Sequence, residues 1–449
     1  MNPLHWLDPG MKIKRWILLG IAGVFSTSIG IAYILKSFPL GKLRTFPLLF
    51  ILLGMVLMVI ALRQGFISLI SCLGEGNEAL ESFPKSLSPY ILKEKIKIKG
   101  PKIVVIGGGT GSSVLLRGLK KYTSNITAIV TVADDGGSSG KLREDLGMLP
   151  PGDIRSCILA LADTEPTMEK LLQYRFKEGS LKGQSFGNLF IAAMNEITGN
   201  FEEAVRKTSD VLKVKGTVLP VTLEDIILYA ELKNGEIVKG ESQIPIVAKE
   251  KGQKIKRVSI EPSKVEPLQY GLKAIREADA IILGPGSLYT SIIPNLLVDG
   301  IGNEISQSKA LKIYVSNIMT QSGETDGYSV GEHIEAIVKH AGNTQKPIID
   351  YVIANNGEIP DYLIEKYKRE DSSPVTLKEE EVSQSTYQYI IDNFVEIKKH
   401  YLRHDTDKVA KTIFQLIADE KLIWDKTRLL DYNYIKSHLR EKNNKRNQS

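Results

Sequence analysis

Four clusters of glycine, hydroxyl, amide and carboxylate residues recur along this chain, each at the end of an apolar run or at the opening of one. The first, Gly107-Gly108-Gly109-Thr110-Gly111-Ser112-Ser113, follows the strand-like Lys102–Ile106 and precedes the helix-like Val114–Lys121. A strand that feeds a glycine loop and then a helix aims backbone N–H groups and the positive end of a helix dipole into one small volume, which suits a phosphate. Glycine runs after strands also serve tight turns with no ligand, so the loop is not diagnostic by itself. The second cluster, Ala133-Asp134-Asp135-Gly136-Gly137-Ser138, ends the apolar run Ile126–Val132. An acidic residue there reads ribose hydroxyls in a dinucleotide fold. Two adjacent carboxylates repel a diphosphate unless a hydroxyl, a basic group or a divalent cation intervenes. Asp-Asp-Gly-Gly also makes a capped turn, and the two readings are compatible.

Further along, Pro150-Pro151-Gly152-Asp153-Ile154-Arg155 sets Asp153 where it would cap an apolar helix, and Ser185, Gly187 and Asn188 open another. A third strand, glycine turn and helix follows at Leu283-Gly284-Pro285-Gly286-Ser287 through Thr290, and a fourth polar loop runs from Ser316 through Asn317 and Thr320 to Gly327. Ligands of open α/β sheets sit beyond the carboxyl ends of the strands, so the four loops are expected to share one crevice. None of the six histidines lies in these loops, which argues against a histidine base there. His404-Asp405 resembles a metal-hydrolase dyad but lacks further His or Asp ligands, and reads as the start of a helix. The glycine loop departs from the dehydrogenase pattern G-x-G-x-x-G at Ser112, and a P-loop reading of Gly140-Lys141 fails because Leu142 offers no hydroxyl for magnesium.

The elements that must position these loops alternate, as β-branched runs and helical periods, from Pro101 onward, which predicts a mostly parallel sheet flanked by helices. Ala280–Leu283, Leu311–Ser316 and Asp350–Ala354 read as strands. Asn234-Gly235 between Asp225–Leu232 and Ile237–Lys239 predicts a type I′ hairpin, an antiparallel excursion. Phe201–Lys213 and Asp407–Ala418 have helical spacing, the latter opening with an Asp suited to capping.

The chain's 449 residues, 43% apolar and 24% charged, are enough for a full core. Cys72 and Cys157 are too few and too far apart for a disulfide framework or thiolate zinc site, in keeping with a reducing compartment. A net charge of +6 with basic residues dispersed, apart from the tail Arg440–Arg446, speaks against nucleic acid as a partner.

The N-terminus differs. Ile17–Leu35 is an uncharged run of 19 residues, about 28 Å as a helix and close to the bilayer's hydrocarbon thickness. Phe46–Leu62 is a second uncharged run, and Pro39 and Gly41 between them suit a turn. A signal peptide would not be followed at once by a second apolar run. The expected organisation is a transmembrane helical hairpin over residues 1–66, a juxtamembrane linker over 67–100, a nucleotide-binding domain over 101–420 and a helical tail over 421–449. Lys12, Lys14 and Arg15 before the first span are balanced by Lys36, Lys42 and Arg44 between the spans, so charge does not set the orientation. Nucleotide chemistry and free cysteines favour a large domain in the cytoplasm, tethered to the cell membrane.

Taken together, Gly107–Ser112, Ala133–Gly140, Pro150–Arg155, Ser185–Phe190, Gly284–Thr290 and Asn317–Thr320 resemble the motifs of the YvcK/CofD family in order and spacing, over roughly Lys102–Ala418. The resemblance implies a Rossmann-like α/β domain. In the YvcK branch it implies a regulator that binds a UDP-sugar such as UDP-N-acetylglucosamine, needs no cofactor, and is associated with gluconeogenic growth, cell shape and cell-wall precursor supply. The other branch transfers a phospholactyl group to a deazaflavin, using magnesium. The continuation of the acidic motif into Gly136–Gly140 and Pro150–Arg155 matches the YvcK branch. Carried onto this sequence, Gly108, Gly109, Thr110, Gly111 and Ser112 would hold phosphate, and Asp134, Asp135, Gly136 and Ser138 would read ribose, sugar or a bridging cation. Ser185, Asn188, Gly286, Ser287, Thr290, Asn317 and Thr320 would complete the pocket. A cell-envelope biosynthetic enzyme is the expected protein partner and a homo-oligomer the expected state; the rival activity is the magnesium-dependent transfer, and a nicotinamide dehydrogenase fits less well.

Overall fold

The computed structural model describes residues 13–36, 45–73, 100–163, 165–398 and 400–422. The connector at 37–44, the linker residues 74–99 and the tail from 423 lie outside the described residues. The chain divides into two compact units, Met1–Leu92 and Lys93–Ser449.

In the first unit, helices Ile13–Lys36 and Thr45–Leu73 pair antiparallel. The second helix runs on to Leu73, past the point at which a linker was expected to begin. Gly23 and Gly30 on one helix, and Pro47, Gly54 and Ala61 on the other, are buried at seven-residue spacing, the repeat that keeps a seam facing its partner. Small side chains let the two backbones approach: a Cβ at Gly54 would lie 2.6 Å from the Gly23 carbonyl oxygen and 2.7 Å from Thr27 N. Ser26 Oγ donates across the seam to the Phe50 carbonyl at 2.9 Å. Leu18, Phe25, Leu52 and Leu62 face outward and are exposed. By length and composition one helix, Phe46–Gln64, is long and apolar enough to cross a membrane, while Leu18–Ile34 is a shorter apolar stretch.

This seam predicts that Gly54→Leu separates the helices at a cost of about 1–3 kcal/mol. The Cβ of a residue at 20 would lie 3.5 Å from that of Ala61, within disulfide reach. Gly20→Cys with Ala61→Cys, in a chain whose Cys72 and Cys157 are replaced by Ala, should therefore cross-link efficiently, and Gly54→Leu should sharply lower the yield; an unchanged yield contradicts the seam.

Among the described residues the second unit has twelve strands: β1 Ile103–Gly107, β2 Ile126–Val130, β3 Thr217–Pro220, β4 Ile227–Leu232, β5 Ile237–Lys239, β6 Ile255–Glu261, β7 Ala280–Leu283, β8 Leu311–Val315, β9 Tyr351–Asn355, β10 Gln388–Asp392, β11 Val395–Lys398 and β12 Tyr401–His404. Seven form one wholly parallel sheet in the order β10-β9-β8-β7-β1-β2-β3. Every residue of β1, β7 and β8 is buried, which is why β1 and β7 read as unbroken apolar runs rather than alternating ones, while β8 buries Lys312 among its apolar residues. From β1 the chain steps outward to β2 and β3, then returns to β7 on β1's other side and steps away again. The direction of winding thus reverses between β1 and β7, and a crevice opens where their following loops diverge. The architecture is Rossmann-like α/β, with helices flanking the sheet.

The antiparallel excursion is present as a three-stranded sheet, β5-β4-β6. Its turn is not type I′: only Gly235 takes a left-handed φ, +89°, while Gly235 N donates to the Leu232 carbonyl and Leu232 N to that of Glu236. Asn234 instead uses its side chain to accept from Glu236 N at 3.0 Å. A three-residue loop closed by a left-handed glycine meets the same strand twist.

Two helix boundaries also differ from the sequence expectation. The helix after β1 begins at Gly109, so most of the glycine loop is its first turn. The last long helix, Thr406–Ile417, is capped by Asp405, whose side chain accepts from Lys408 N, and not by Asp407. That helix packs on Gly109–Leu119, with Tyr122 stacked on Phe414 at 4.6 Å, and so braces the loop that follows β1.

Candidate functional site

At the switch point the loops after β1 and β7 touch. A Cβ at Gly111 would lie 2.3 Å from the Pro285 carbonyl oxygen, so only glycine lets the two loops meet. Gly109 takes a φ of +64°, a region that disfavours side chains. The loop after β8 joins them through Asn317, whose Oδ1 accepts from Gly286 N at 3.3 Å and whose Nδ2 donates to the Gly286 carbonyl at 2.9 Å. One amide side chain thereby clips β7's loop to β8's.

The three loops frame a cavity of about 390 Å³. Of the residues singled out from sequence, Thr110, Gly111, Gly286, Asn317 and Thr320 line it. Thr110 is exposed, while Thr320 is buried and its hydroxyl accepts from Ser373 N at 2.9 Å. Sequence reasoning missed Gln321, Ser322, Glu370, Arg403 and His404, which share the lining. Arg403 is the single Arg or Lys among the described lining residues. A histidine does line the cavity, His404, although none lies in the four loops: it arrives from β12, distant from them in sequence. Its Nε2 sits 3.0 Å from the Ser316 carbonyl, which can only accept. Nε2 therefore carries the proton, Nδ1 is left as an acceptor, and burial pushes the ring's pKa down to about 4.

Other candidates turn toward the protein. Ser112 is buried under Pro285. Thr290 donates its hydroxyl to Glu324 Oε1 at 3.1 Å, and Glu324 also accepts from Tyr289 N at 3.2 Å. A protein carboxylate thus occupies the helical turn that follows Ser287, where Ser287 and Thr290 were expected to complete the ligand pocket. Burial pushes Glu324 up to about 7, against the hydrogen bonds from Thr290 and Tyr289.

A second constellation gathers beside the first loop. Ser138 Oγ donates to Gln184 Oε1 at 2.6 Å and accepts from Ser185 N at 3.1 Å and Asn188 Nδ2 at 3.2 Å. Arg155 donates to Ser185 Oγ. Ser138, Ser185 and Asn188 are thus brought together, but around Arg155 and not in the lining of the 390 Å³ cavity. Asp153 lies against the glycine loop, where a Cβ at Gly108 would be 2.4 Å from its Oδ2. Burial, helped by Asp134 and opposed by the Gly109 N–H and Arg155, pushes Asp153 up to about 7.

Asp134 accepts from Gly136 N at 2.9 Å, the turn that its sequence suggested. Asp135 accepts from Ser242 N at 2.9 Å. The segment Gly240–Pro245 runs from Asp135 to Gly323, whose Cβ would lie 2.0 Å from the Pro245 carbonyl. On this segment, burial and then Asp134, Glu324, Asp135 and Asp153 push Glu241 up to about 8. Despite this concentration of carboxylates, no three His, Cys, Asp or Glu among the described residues are grouped to hold a metal ion. A larger cavity, about 860 Å³, lies at the opposite, amino-terminal edge of β1, β2 and β3, where cations such as Lys102 and Arg206 are paired with Glu277 and Glu203.

Comparison with known proteins adds to this geometry. The family model described as 2-phospho-L-lactate transferase CofD matches residues 103–395. A Clostridium acetobutylicum protein is 51% identical over 445 residues, 98% of each chain. The Bacillus subtilis protein named gluconeogenesis factor is 49% identical over 320 residues, 71% of this chain and 99% of its own. The crystal structure of a UPF0052-family protein from Bacillus halodurans superposes with a TM-score of 0.66 at 49% identity, covering 70% of this chain and 99% of that one.

Proposed function

The chain belongs to the CofD family, with the gluconeogenesis factors as relatives, and from that membership we propose that it is a gluconeogenesis-related regulator that binds a UDP-sugar, UDP-N-acetylglucosamine in the first place. The observation that carries this reading is the convergence of Thr110, Gly111, Gly286, Asn317 and Thr320, from three loops at the switch point, on one cavity with a single guanidinium, Arg403. A diphosphate needs donors and one positive charge in a confined polar space, and these residues supply both. Bound ligand would order the three loops together and so change affinity for a cell-envelope biosynthetic enzyme; that coupling requires differential binding to two states of the loops. We further propose that the N-terminal hairpin tethers the protein to the cell membrane with its large domain in the cytoplasm, and that the protein works as a homo-oligomer. The outward Leu and Phe of the hairpin around a small-residue seam support the tether.

Saturating UDP-N-acetylglucosamine, at a hundredfold over the dissociation constant, is expected to stabilise the protein by about 2.7 kcal/mol. Arg403→Ala is expected to weaken binding by about 10- to 100-fold, the loss of charge-assisted hydrogen bonds to phosphate. Full affinity in a folded Arg403→Ala protein, measured by calorimetry, would place the diphosphate elsewhere.

The second reading is phospholactyl transfer, favoured by the family model itself. Magnesium, which that chemistry uses, does not fit the carboxylates as they stand: Asp134 and Asp135 are held by the amides of Gly136 and Ser242, and no described grouping of ligands supports an ion. No step is routed through it. Stabilisation by GDP or a deazaflavin but not by UDP-N-acetylglucosamine would reverse the order of the two readings.

A further inference from the structure

Gln321 lines the 390 Å³ cavity, and the structure fixes which end of its amide a ligand meets. Its Nε2 lies 2.6 Å from Glu324 Oε1. Glu324 is 2% exposed and already accepts from Tyr289 N and the Thr290 hydroxyl. In its ionised form Glu324 can only accept, and it then holds the NH₂ of Gln321 toward itself, because the amide oxygen offers a carboxylate nothing. Oε1 is then the amide atom left for a ligand. The backbone around it is equally constrained: Gln321 N donates to Thr325 Oγ1 at 2.9 Å, while Glu324 N and Thr325 N donate to the Gln321 carbonyl at 3.0 and 2.9 Å. Next to it in the lining, Ser322 Oγ is buried without a hydrogen-bond partner. A fixed acceptor and an unsatisfied hydroxyl stand side by side.

We propose that Gln321 and Ser322 form the specificity element of this cavity, taking a ligand group in which an N–H adjoins a carbonyl, with Glu324 as the positioning residue that sets the amide's direction. Gln321 Oε1 accepts the N–H and Ser322 Oγ donates to the carbonyl. Two parts of a UDP-N-acetylglucosamine molecule have this chemistry: the uracil imide and the acetamido group. The inference rests on the UDP-sugar reading and adds to it the basis of selection. A cytosine in place of uracil would set a lone pair against the fixed Oε1, and a sugar without the acetamido group would leave it unmatched; buried polar atoms left unpaired are what gives such sites their discrimination.

The test is calorimetric titration of the full chain in detergent with UDP-N-acetylglucosamine, UDP-glucose, UDP and CDP, for the wild type, Gln321→Ala and Glu324→Gln. Gln321→Ala is expected to bind UDP-N-acetylglucosamine about tenfold more weakly. If the imide is the partner, all three uridine ligands weaken alike and the preference over CDP shrinks. If the acetamido group is the partner, only UDP-N-acetylglucosamine weakens and its advantage over UDP-glucose disappears. Glu324→Gln, which lets the Gln321 amide turn over, is expected to lower the same preference in a chain that still unfolds cooperatively, a change that loss of packing alone would not produce. Unchanged affinities and preferences in folded Gln321→Ala overturn the inference while leaving the UDP-sugar reading in place. A wild type that binds none of the uridine ligands overturns both.

Discussion

Gly111→Ala is expected to lower UDP-sugar affinity by at least about a hundredfold while costing the fold only about 1–3 kcal/mol. The added methyl would stand 2.3 Å from the Pro285 carbonyl oxygen and 3.0 Å from the Gly286 Cα, which are backbone atoms with no rotamer to escape into. The loops after β1 and β7 must then separate. Because Asn317 ties Gly286 to the loop after β8 by two hydrogen bonds, that separation is passed to the cavity's third wall. All the groups proposed to hold the diphosphate would then shift together, whereas loss of one side chain would remove one contact. Gly137→Ala is the control, since nothing lies within 4 Å of that position although its φ of +48° carries a modest strain of its own. Calorimetric affinities for the two variants, each with its unfolding midpoint, decide the matter: equal affinities would show that contact between the loops does not shape the cavity.

The unliganded protein is also expected to lose stability as the pH rises from about 4.5 to 8. Asp153 and Glu324, raised to about 7, and Glu241, raised to about 8, sit in one region of mutually repelling carboxylates. The unfolded chain has given up these protons by about pH 5, whereas the folded chain still holds them. Folded protein therefore binds more protons throughout this interval, and its stability relative to the unfolded chain is lost progressively between the unfolded carboxyl pKa values near 4 and the folded values of about 7 to 8, the loss being complete above them. His404, lowered to about 4, acts in the opposite sense, because the unfolded chain takes up a proton near pH 6.5 that the folded one refuses. Its contribution favours folding as the pH climbs to about 6.5 and is complete above that. His404's single gain offsets only part of the loss from the three carboxyls, so on these groups stability falls from about pH 4.5 to about pH 8, a total that belongs to the coupled group and not to any one carboxyl. Scanning calorimetry across that range measures it directly. Glu241→Gln should flatten the decline, and a wild-type midpoint constant from pH 5 to 8 would refute the origin assigned to it.

Much of the frame was legible before any coordinates. β1 and β7 were readable because a parallel strand covered on both faces is apolar throughout, and β8 and β9 were readable from their mostly apolar runs despite Lys312 in one and Asn355 at the end of the other. The loops after them were readable because glycine, hydroxyl and amide residues in place of an apolar run mark where backbone is left for a ligand. Turn geometry was less legible. Asn-Gly announced a hairpin between β4 and β5, but the choice of turn depended on strand twist and on the Asn234 side chain.

The candidate site was legible in part, and the division has a physical cause. A sequence shows which residues carry donors but not where those donors turn. Thr110 and Ser112 look alike on paper, yet one lines the cavity and the other is buried beneath Pro285. Thr290 and Ser138 likewise spend their hydroxyls on Glu324 and on the network around Arg155. Nothing local marked Arg403, and His404 stood out only as half of a His-Asp pair at a helix start, because each owes its place to a short hairpin that the fold carries back to the crevice from the far end of the domain.

The order of strands and helices, the loops at strand ends and the heptad spacing of small residues in the hairpin follow from side-chain size and polarity read along the chain, so sequence alone determined them. Where the sheet reverses, which loops meet there, and whether a given hydroxyl or carboxylate faces the cavity or its own protein depend on contacts between residues far apart in sequence. Those contacts exist only once the chain has closed on itself, and they alone decided that the loops after β1, β7 and β8, with β12 alongside, enclose a single cavity.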